Sequence, residues 1–237
     1  MLAEIAAPEQ IAAVSIYSHQ AESASAPLAW AKKLPALGTG AEEIIAARPA
    51  LVLTGNLVSS GTNAALAKAG IRTVAVGVAA SVAEDIAQIR AIAEAISRVE
   101  AGEALIRRME KALGRPPTRA DKSAIIWESG GFVAGAGTLQ DELLSAHGFA
   151  NASKTYGLEN WDMLPLETLI RNPPDVIFMP VSGKGEDARK LAARQRLLRH
   201  VGNRTKVVAL PDRLLFCGGA TIIEVSKVFA RTREKLQ

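Results

Sequence analysis

Two segments of this 237-residue chain repeat one another. Glu42-Glu-Ile-Ile-Ala-Ala-Arg-Pro49-Ala-Leu-Val-Leu53 can be laid on Glu167-Thr-Leu-Ile-Arg-Asn-Pro-Pro174-Asp-Val-Ile-Phe178. The glutamate, Ile45 and Ile170, the proline and the apolar triplet after it coincide at a constant offset of 125 residues. Proline has no amide hydrogen to give a helix interior, so each copy reads as a short helix, a proline that ends it, and a strand. Another strand pattern follows in each half, Thr73–Gly77 and Lys206–Leu210. A chain built on two such copies is expected to fold as two similar lobes.

Around the repeat, short apolar runs alternate with helical patterns. Ile11–Ile16, Ala50–Thr54, Thr73–Gly77, Ala124–Trp127, Val176–Met179 and Lys206–Leu210 read as strands. Their hydrophobicity is continuous rather than alternating, the mark of strands covered on both faces of a parallel sheet. Helices are expected at Glu42–Ala47, Thr62–Ala69, Leu139–His147, Leu166–Arg171, Glu186–His200 and Ala220–Leu236. This alternation predicts an α/β fold of two Rossmann-like lobes with mainly parallel sheets.

One stretch breaks the rhythm. From Ser81 to Leu113 the apolar residues Val82, Ile86, Ile89, Ala93, Ile96, Ile106, Met109 and Leu113 recur mostly at three- and four-residue steps. Ser81 with Glu84 forms a capping box, and Gly114 before Pro116-Pro117 is a stop. One helix of that length would reach ~48 Å at ~1.5 Å per residue, more than a crossover in a small sheet needs. It is expected to bridge the lobes, which gives an N-terminal lobe over 1–80, the bridging helix over 81–113 and a C-terminal lobe over 114–237.

The chemistry-bearing candidates are sparse. With 49% hydrophobic and 22% charged residues the chain has the apolar material for a core. Its single cysteine, Cys217, excludes an internal disulfide and a Cys-rich zinc site, and reads as a packed loop residue. His19, His147 and His200 are far apart and form no metal-binding spacing; the last two end helices, where a cation favours the helix dipole. No 18-residue apolar run could span a membrane, and Met1–Glu9 lacks the basic and apolar regions of a secretory signal. Gly130-Gly-Phe-Val-Ala-Gly135-Ala-Gly137-Thr138 follows a strand and opens a helix, but Gln140 stands where a dinucleotide fingerprint needs its third glycine. Thr138 reads instead as an N-cap with Asp141 behind it. Ser182-Gly-Lys-Gly185 lacks a P-loop's Lys-Ser/Thr pair and reads as a turn, and no G-x-S-x-G elbow is present. The basic run Arg189, Lys190, Arg194, Arg196, Arg199, Arg204, Lys206 has no interleaved aromatics, so it reads as a solvated helix face and not as a nucleic-acid surface.

The few aromatics fall in telling places. Trp127 ends a strand, Phe132 lies in the glycine-rich stretch, Trp161 precedes the second repeat, Phe216 follows the last strand, and Tyr17 and Trp30 flank the first loop. Ligands of parallel α/β sheets bind beyond the carboxyl ends of the strands, so these six are the candidates for lining a ligand cleft. An enzyme would need positioned acid–base groups there, and only Glu128 and Asp162, beside tryptophans, qualify.

Four segments carry a family resemblance: Gly40-Ala-Glu-Glu-Ile-Ile-Ala-Ala-Arg-Pro-Ala-Leu-Val-Leu, the 81–113 helix, Gly135-Ala-Gly-Thr-Leu-Gln-Asp-Glu-Leu-Leu, and Leu166-Glu-Thr-Leu-Ile-Arg-Asn-Pro-Pro-Asp-Val-Ile. On these the chain resembles, over nearly its whole length, the periplasmic substrate-binding proteins of ABC importers for cobalamin and ferric siderophores, whose two lobes are joined by one long helix. The resemblance implies a periplasmic, non-enzymatic receptor. It would capture a cobalt- or iron-containing chelate between its lobes and deliver it to an inner-membrane permease. A corrinoid comes first because the cleft candidates are aromatic and apolar, a ferric siderophore second and haem third. The three-His site of related zinc and manganese binders is missing, which argues against a bare metal ion. The resemblance also implies that Glu42 and Glu167 dock into arginine pockets on the permease. Family members carry a signal peptide and a first strand ahead of the segment that Met1-Leu-Ala-Glu-Ile-Ala-Ala-Pro-Glu-Gln-Ile-Ala resembles, so that strand is expected to be missing here. The alternative from another class is a two-lobed α/β enzyme, such as a nucleotide-sugar transferase or a tetrapyrrole chelatase.

Overall fold

The computed structural model describes residues 1–20, 24–55, 58–128, 130–181, 188–201, 204–214 and 218–236. The chain begins with α1 (Leu2–Ile5), β1 (Val14–Ser15), α2 (Leu28–Ala31), β2 (Ala36–Leu37), α3 (Ala41–Ala46), β3 (Leu51–Thr54), α4 (Ser60–Lys68) and β4 (Arg72–Ala75). Next come α5 (Val82–Ala95), α6 (Val99–Leu113), β5 (Lys122–Ile126), β6 (Phe132–Ala134), α7 (Leu139–Ala146), β7 (Phe149–Asn151) and β8 (Trp161–Met163). The chain ends with α8 (Leu166–Arg171), β9 (Val176–Val181), α9 (Ala188–Val201), β10 (Lys206–Pro211) and α10 (Ala220–Glu234). It divides into two compact units, 1–79 with 83–107, and 80–82 with 108–237.

The repeat is structural as well as sequential. Helix α3, a proline and β3 in the first unit correspond to α8, a proline and β9 in the second. The equivalent residues Ile44 and Leu169 are the buried anchors of the two short helices.

In the first unit, β3 pairs in parallel with β4 over four residues, and β1 with β2 over two. The strand expected over Ile11–Ile16 is reduced to Val14–Ser15, because short 3-10 turns at Pro8–Gln10 and Ile16–His19 close in on it from both sides.

The expected single helix over 81–113 is two helices. Ser97 adopts a left-handed φ of 56°, the Arg98 amide reaches back to the Ala93 carbonyl at 2.7 Å, and the Ser97 amide to Glu94 at 3.1 Å. That is a Schellman-type helix end, usually built on glycine. Side chains from afar take the freed carbonyls: Gln10 donates to Ile96 at 2.9 Å and Arg72 to Ala95 at 2.5 Å. Arg90 and Glu103, 13 positions apart, form an ion pair at 2.7 Å. In a continuous helix ~20 Å would separate them. Gly102 permits the close approach of the two helices, since a Cβ there would stand 2.6 Å from the Ala93 Cβ. Periodicity alone carries straight through such a break, because the apolar stripe continues on both sides of it.

The second unit holds a four-stranded parallel sheet in the order β10-β9-β5-β7. Side chains alternate across it, and both faces are covered. Ile125, Trp127, Ile177 and Met179 join a core with Leu169, Leu197 and Val201. Phe178 meets Phe149 and the α10 residue Phe229 with ring centroids 5.6 and 4.4 Å apart. This two-sided burial is why the strands read as continuous apolar runs. Asp175, just beyond the second proline pair, pins the start of β9 to β5. Its carboxylate accepts from the Ser123 amide at 2.7 Å and hydroxyl at 2.8 Å.

Candidate functional site

Local sequence folds the glycine-rich stretch into a ribbon and not a phosphate cradle. After β5 the chain turns at Gly131, whose φ is 89°. The Glu128 amide donates to Phe132 at 2.8 Å and the Gly131 amide to Glu128 at 2.7 Å. Strand β6 then pairs antiparallel with β8. Gly135 is required where the ribbon ends: its amide donates to the Asn160 carbonyl at 2.5 Å, and a Cβ would lie 2.6 Å from that oxygen. The start of α7 is satisfied internally. Thr138 Oγ1 accepts from the Asp141 amide at 3.1 Å, and the Asp141 carboxylate accepts from Gly137 at 3.2 Å and from Asn151 at 3.1 Å. Lys154 completes that carboxylate's partners at 3.0 Å.

The ribbon brings two of the expected aromatics together. Phe132 is opposite Met163 in the register, and Trp161 opposite Ala134, so Phe132, Trp161 and Met163 share one face. The rings of Phe132 and Trp161 stack, with centroids 5.7 Å apart and planes 15° from parallel. Phe132 is 39% exposed and Met163 53%, while Val133 between them turns into the core. Trp161 is half-buried beside Phe132, and a stacked pair of this kind presents a flat apolar surface on which a further ring can stack. Met163 is a member of this face beyond the six sequence candidates. The signal was present, since the two-residue spacing of Trp161 and Met163 puts both on one side of a strand.

The remaining candidates are scattered. Trp127 is only 1% exposed and belongs to the core, its indole nitrogen donating to the Leu164 carbonyl at 3.4 Å. In the first unit Tyr17, 39% exposed, sits on the 3-10 turn after β1, and Trp30 lies half-buried on α2. That turn is tied to α2 by His19 Nε2 at 2.9 Å from the Ala31 carbonyl. Phe216, Cys217 and the Ser182–Gly185 segment lie outside the described residues. A groove of about 760 Å³ at the α5–α6 turn, lined by Glu94, Ser97, Arg98, Val99, Glu100 and Ala101, holds none of the candidates.

Glu42 and Glu167 occupy the first turns of α3 and α8 and are both exposed. Glu167 is engaged by Arg196 of α9 at 3.2 Å. Asp162 accepts a hydrogen bond from the Met163 amide at 2.7 Å. His147 does not act as a cation at the end of α7. Burial lowers its pKa against the help of carbonyls at Leu143 and Ala112, so the ring is held neutral. Its Nδ1 donates to Leu143 at 2.8 Å and its edge meets Phe229. Burial likewise raises the Tyr156 phenol, which donates to the Asn172 carbonyl at 2.5 Å. Among the described residues no group of three metal-ligating side chains occurs, and no helix is long and apolar enough to cross a membrane.

A repeated helix–proline–strand and a parallel second-unit sheet define an α/β protein of two units, each with one copy of the motif. The family model for periplasmic binding proteins matches residues 1–209, and the chain belongs to that family. Among solved structures, it is similar to the periplasmic haem-binding protein HutB of Vibrio cholerae, with a TM-score of 0.77 at 18% identity, covering 99% of this chain and 93% of that one. Apo RhuT, a periplasmic haem-binding protein from Roseiflexus sp. RS-1, gives 0.72 at 21% identity over 98% and 94%. The TroA-like periplasmic binding protein FepB from Veillonella parvula gives 0.69 at 14% over 95% and 78%. These likenesses are of fold. No curated protein sequence matches the chain.

Proposed function

We propose that this protein is the substrate-binding component of an ABC importer, working in the periplasm and taking up a metal chelate. The observation that carries the reading is the stacked Phe132–Trp161 pair, exposed at Phe132 and half-buried at Trp161, on a binding-protein fold. Phe132 and Trp161 are the ligand contacts of the second unit, Tyr17 and Trp30 those of the first. The sequence alone placed a corrinoid ahead of a ferric siderophore and haem. Several of the structures that the chain resembles are haem-binding proteins, and that support moves haem to the front. Glu42 and Glu167, on equivalent helices, are the residues that meet the permease, and α6 is the helix that links the lobes. The enzyme alternative has less support, since Asp162 is turned to its neighbour's amide and the family is one of binding proteins.

The test is a thermal-shift screen of the full chain against haem, cyanocobalamin, ferric hydroxamates, ferric catecholates and nucleotide sugars, followed by titration of any hit. A ligand at a hundredfold excess over its Kd raises stability by ~2.7 kcal/mol. A shift with haem or another chelate that is lost in Trp161→Ala supports the reading. A shift with nucleotide sugars alone, or none with any chelate, overturns it. In a reconstituted importer, Glu42→Arg with Glu167→Arg is expected to stop transport while leaving ligand affinity unchanged.

A further inference from the structure

The ribbon face carries one more group with its own chemistry. Met163 projects beside the aromatic pair, opposite Phe132, and its terminal methyl lies against Gly131, where a Cβ would stand 3.3 Å from it. Methionine is an odd choice for a side chain left 53% exposed, because its thioether gains most from burial. The other internal methionines of the described second unit and α6, Met179 and Met109, are buried. Among the described histidines and tyrosine of the second unit, each ring already holds a hydrogen bond of its own. The ring of His147 is buried against Phe229, Tyr156 gives its hydroxyl to Asn172, and His200 sits on α9 with Nδ1 bonded to the Arg196 carbonyl at 2.7 Å. Among the described residues, the thioether of Met163 is an exposed soft donor next to a stacked aromatic pair that could carry a flat ring.

We propose that Met163 Sδ is an axial ligand to the metal of the bound chelate, with Phe132 and Trp161 as the flanking aromatic surface. The inference rests on the chelate-binding function proposed above and narrows it. A thioether is a soft ligand and a weak match for ferric iron wrapped in hard siderophore oxygens, which already fill its coordination sphere. Cyanocobalamin likewise presents a metal with both axial positions taken. An iron tetrapyrrole leaves an axial position open, and thioether ligation of haem iron is well suited to it. The ligand class assigned by this face is therefore haem. Binding forms an Fe–S bond in place of a bound water, with no change of oxidation state.

The experiment compares wild type with Met163→Leu, which keeps the volume and removes the donor. Each is titrated with haem and with metal-free protoporphyrin, and the ferric and ferrous haem spectra are recorded. Loss of a direct ligand is expected to weaken haem binding ~10-fold or more. It should leave protoporphyrin binding unchanged and abolish the far-red thioether-to-iron charge-transfer band. If haem and protoporphyrin weaken equally, or if the band is absent from wild type, Met163 is not a ligand although the chelate reading stands. If wild type binds neither haem nor any other chelate, the functional reading itself fails and the inference with it. Trp161→Ala separates the platform from the bond, since it should weaken both ligands alike.

Discussion

In the first unit, β3 and β4 pair over four residues each, and of those eight only Thr54 is buried. In the second, five of the six residues of β9 are buried, and the strand lies inside a four-stranded sheet. The same helix–proline–strand motif produces both. Leu53 is half-buried where its repeat partner Phe178 is fully enclosed by Phe149 and Phe229. A repeat thus specifies local conformation, whereas its contribution to stability depends on what the other elements lay against it. Segments with few buried apolar contacts open more readily, so the first unit's strands are expected to exchange their amides faster than β5 and β9.

The largest expected effect tests that contrast directly. Phe178→Ala should cost ~3–5 kcal/mol in denaturant unfolding, the usual penalty for emptying a core aromatic site. Leu53→Ala, at the equivalent position, should cost about 1 kcal/mol, since it was only partly removed from water. Equal costs would show that the two copies are equally supported and would break the comparison.

A second pair of substitutions sharpens it. Gly135→Ala drives a methyl into the backbone carbonyl of Asn160, which is hydrogen-bonded to the Gly135 amide itself. A loss of ~1–3 kcal/mol and a change in Trp161 fluorescence are expected. Gly102→Ala in the first unit meets the Ala93 methyl at the same 2.6 Å, but on the neighbouring helix. A small separation of α5 and α6, together with the ~1 kcal/mol better helix propensity of alanine, should leave it the milder change. Differential unfolding of the two variants decides the order.

The smallest effect is in the pH response. Because burial depresses the His147 pKa below 6.5, the folded state resists protonation and the unfolded chain does not. Stability from this residue is present above 6.5 and declines as the pH falls below it. Asp175 adds a second decline, below 3.8. Burial raises its pKa, but the Ser123 hydrogen bonds and the Lys122 charge outweigh this and hold it low. Both groups are in the second unit. Mild acid should therefore speed exchange at β7 before it does at β3, and His147→Gln should flatten the slope between neutral pH and mild acid. An unchanged slope would mean that the ring is solvated.

Much of the fold was legible in the chain. The repeat, the α/β alternation, the stops at Gly114 and the strands β5, β9 and β10 all come from signals that act within a few residues: proline, continuous apolar runs and caps. Thr138 is an N-cap as the sequence implied. The site was half-legible. Phe132 and Trp161 each stand out in the sequence, but their stacking needs β6 and β8, strands of three residues each, too short for a pattern to mark them.

Neighbouring residues alone settle where helices begin, where prolines end them, and which strands must be covered on both faces. Long-range packing is what breaks the 81–113 stretch at Ser97, draws Trp127 into the core while Phe132 and Met163 face outward, and keeps His147 neutral. Each of those outcomes is set by partners tens of residues away, Gln10 and Arg72 for the helix end, Leu164 for the tryptophan, Phe229 for the histidine. No local pattern carries the free energy of contacts that exist only after the chain has closed on itself.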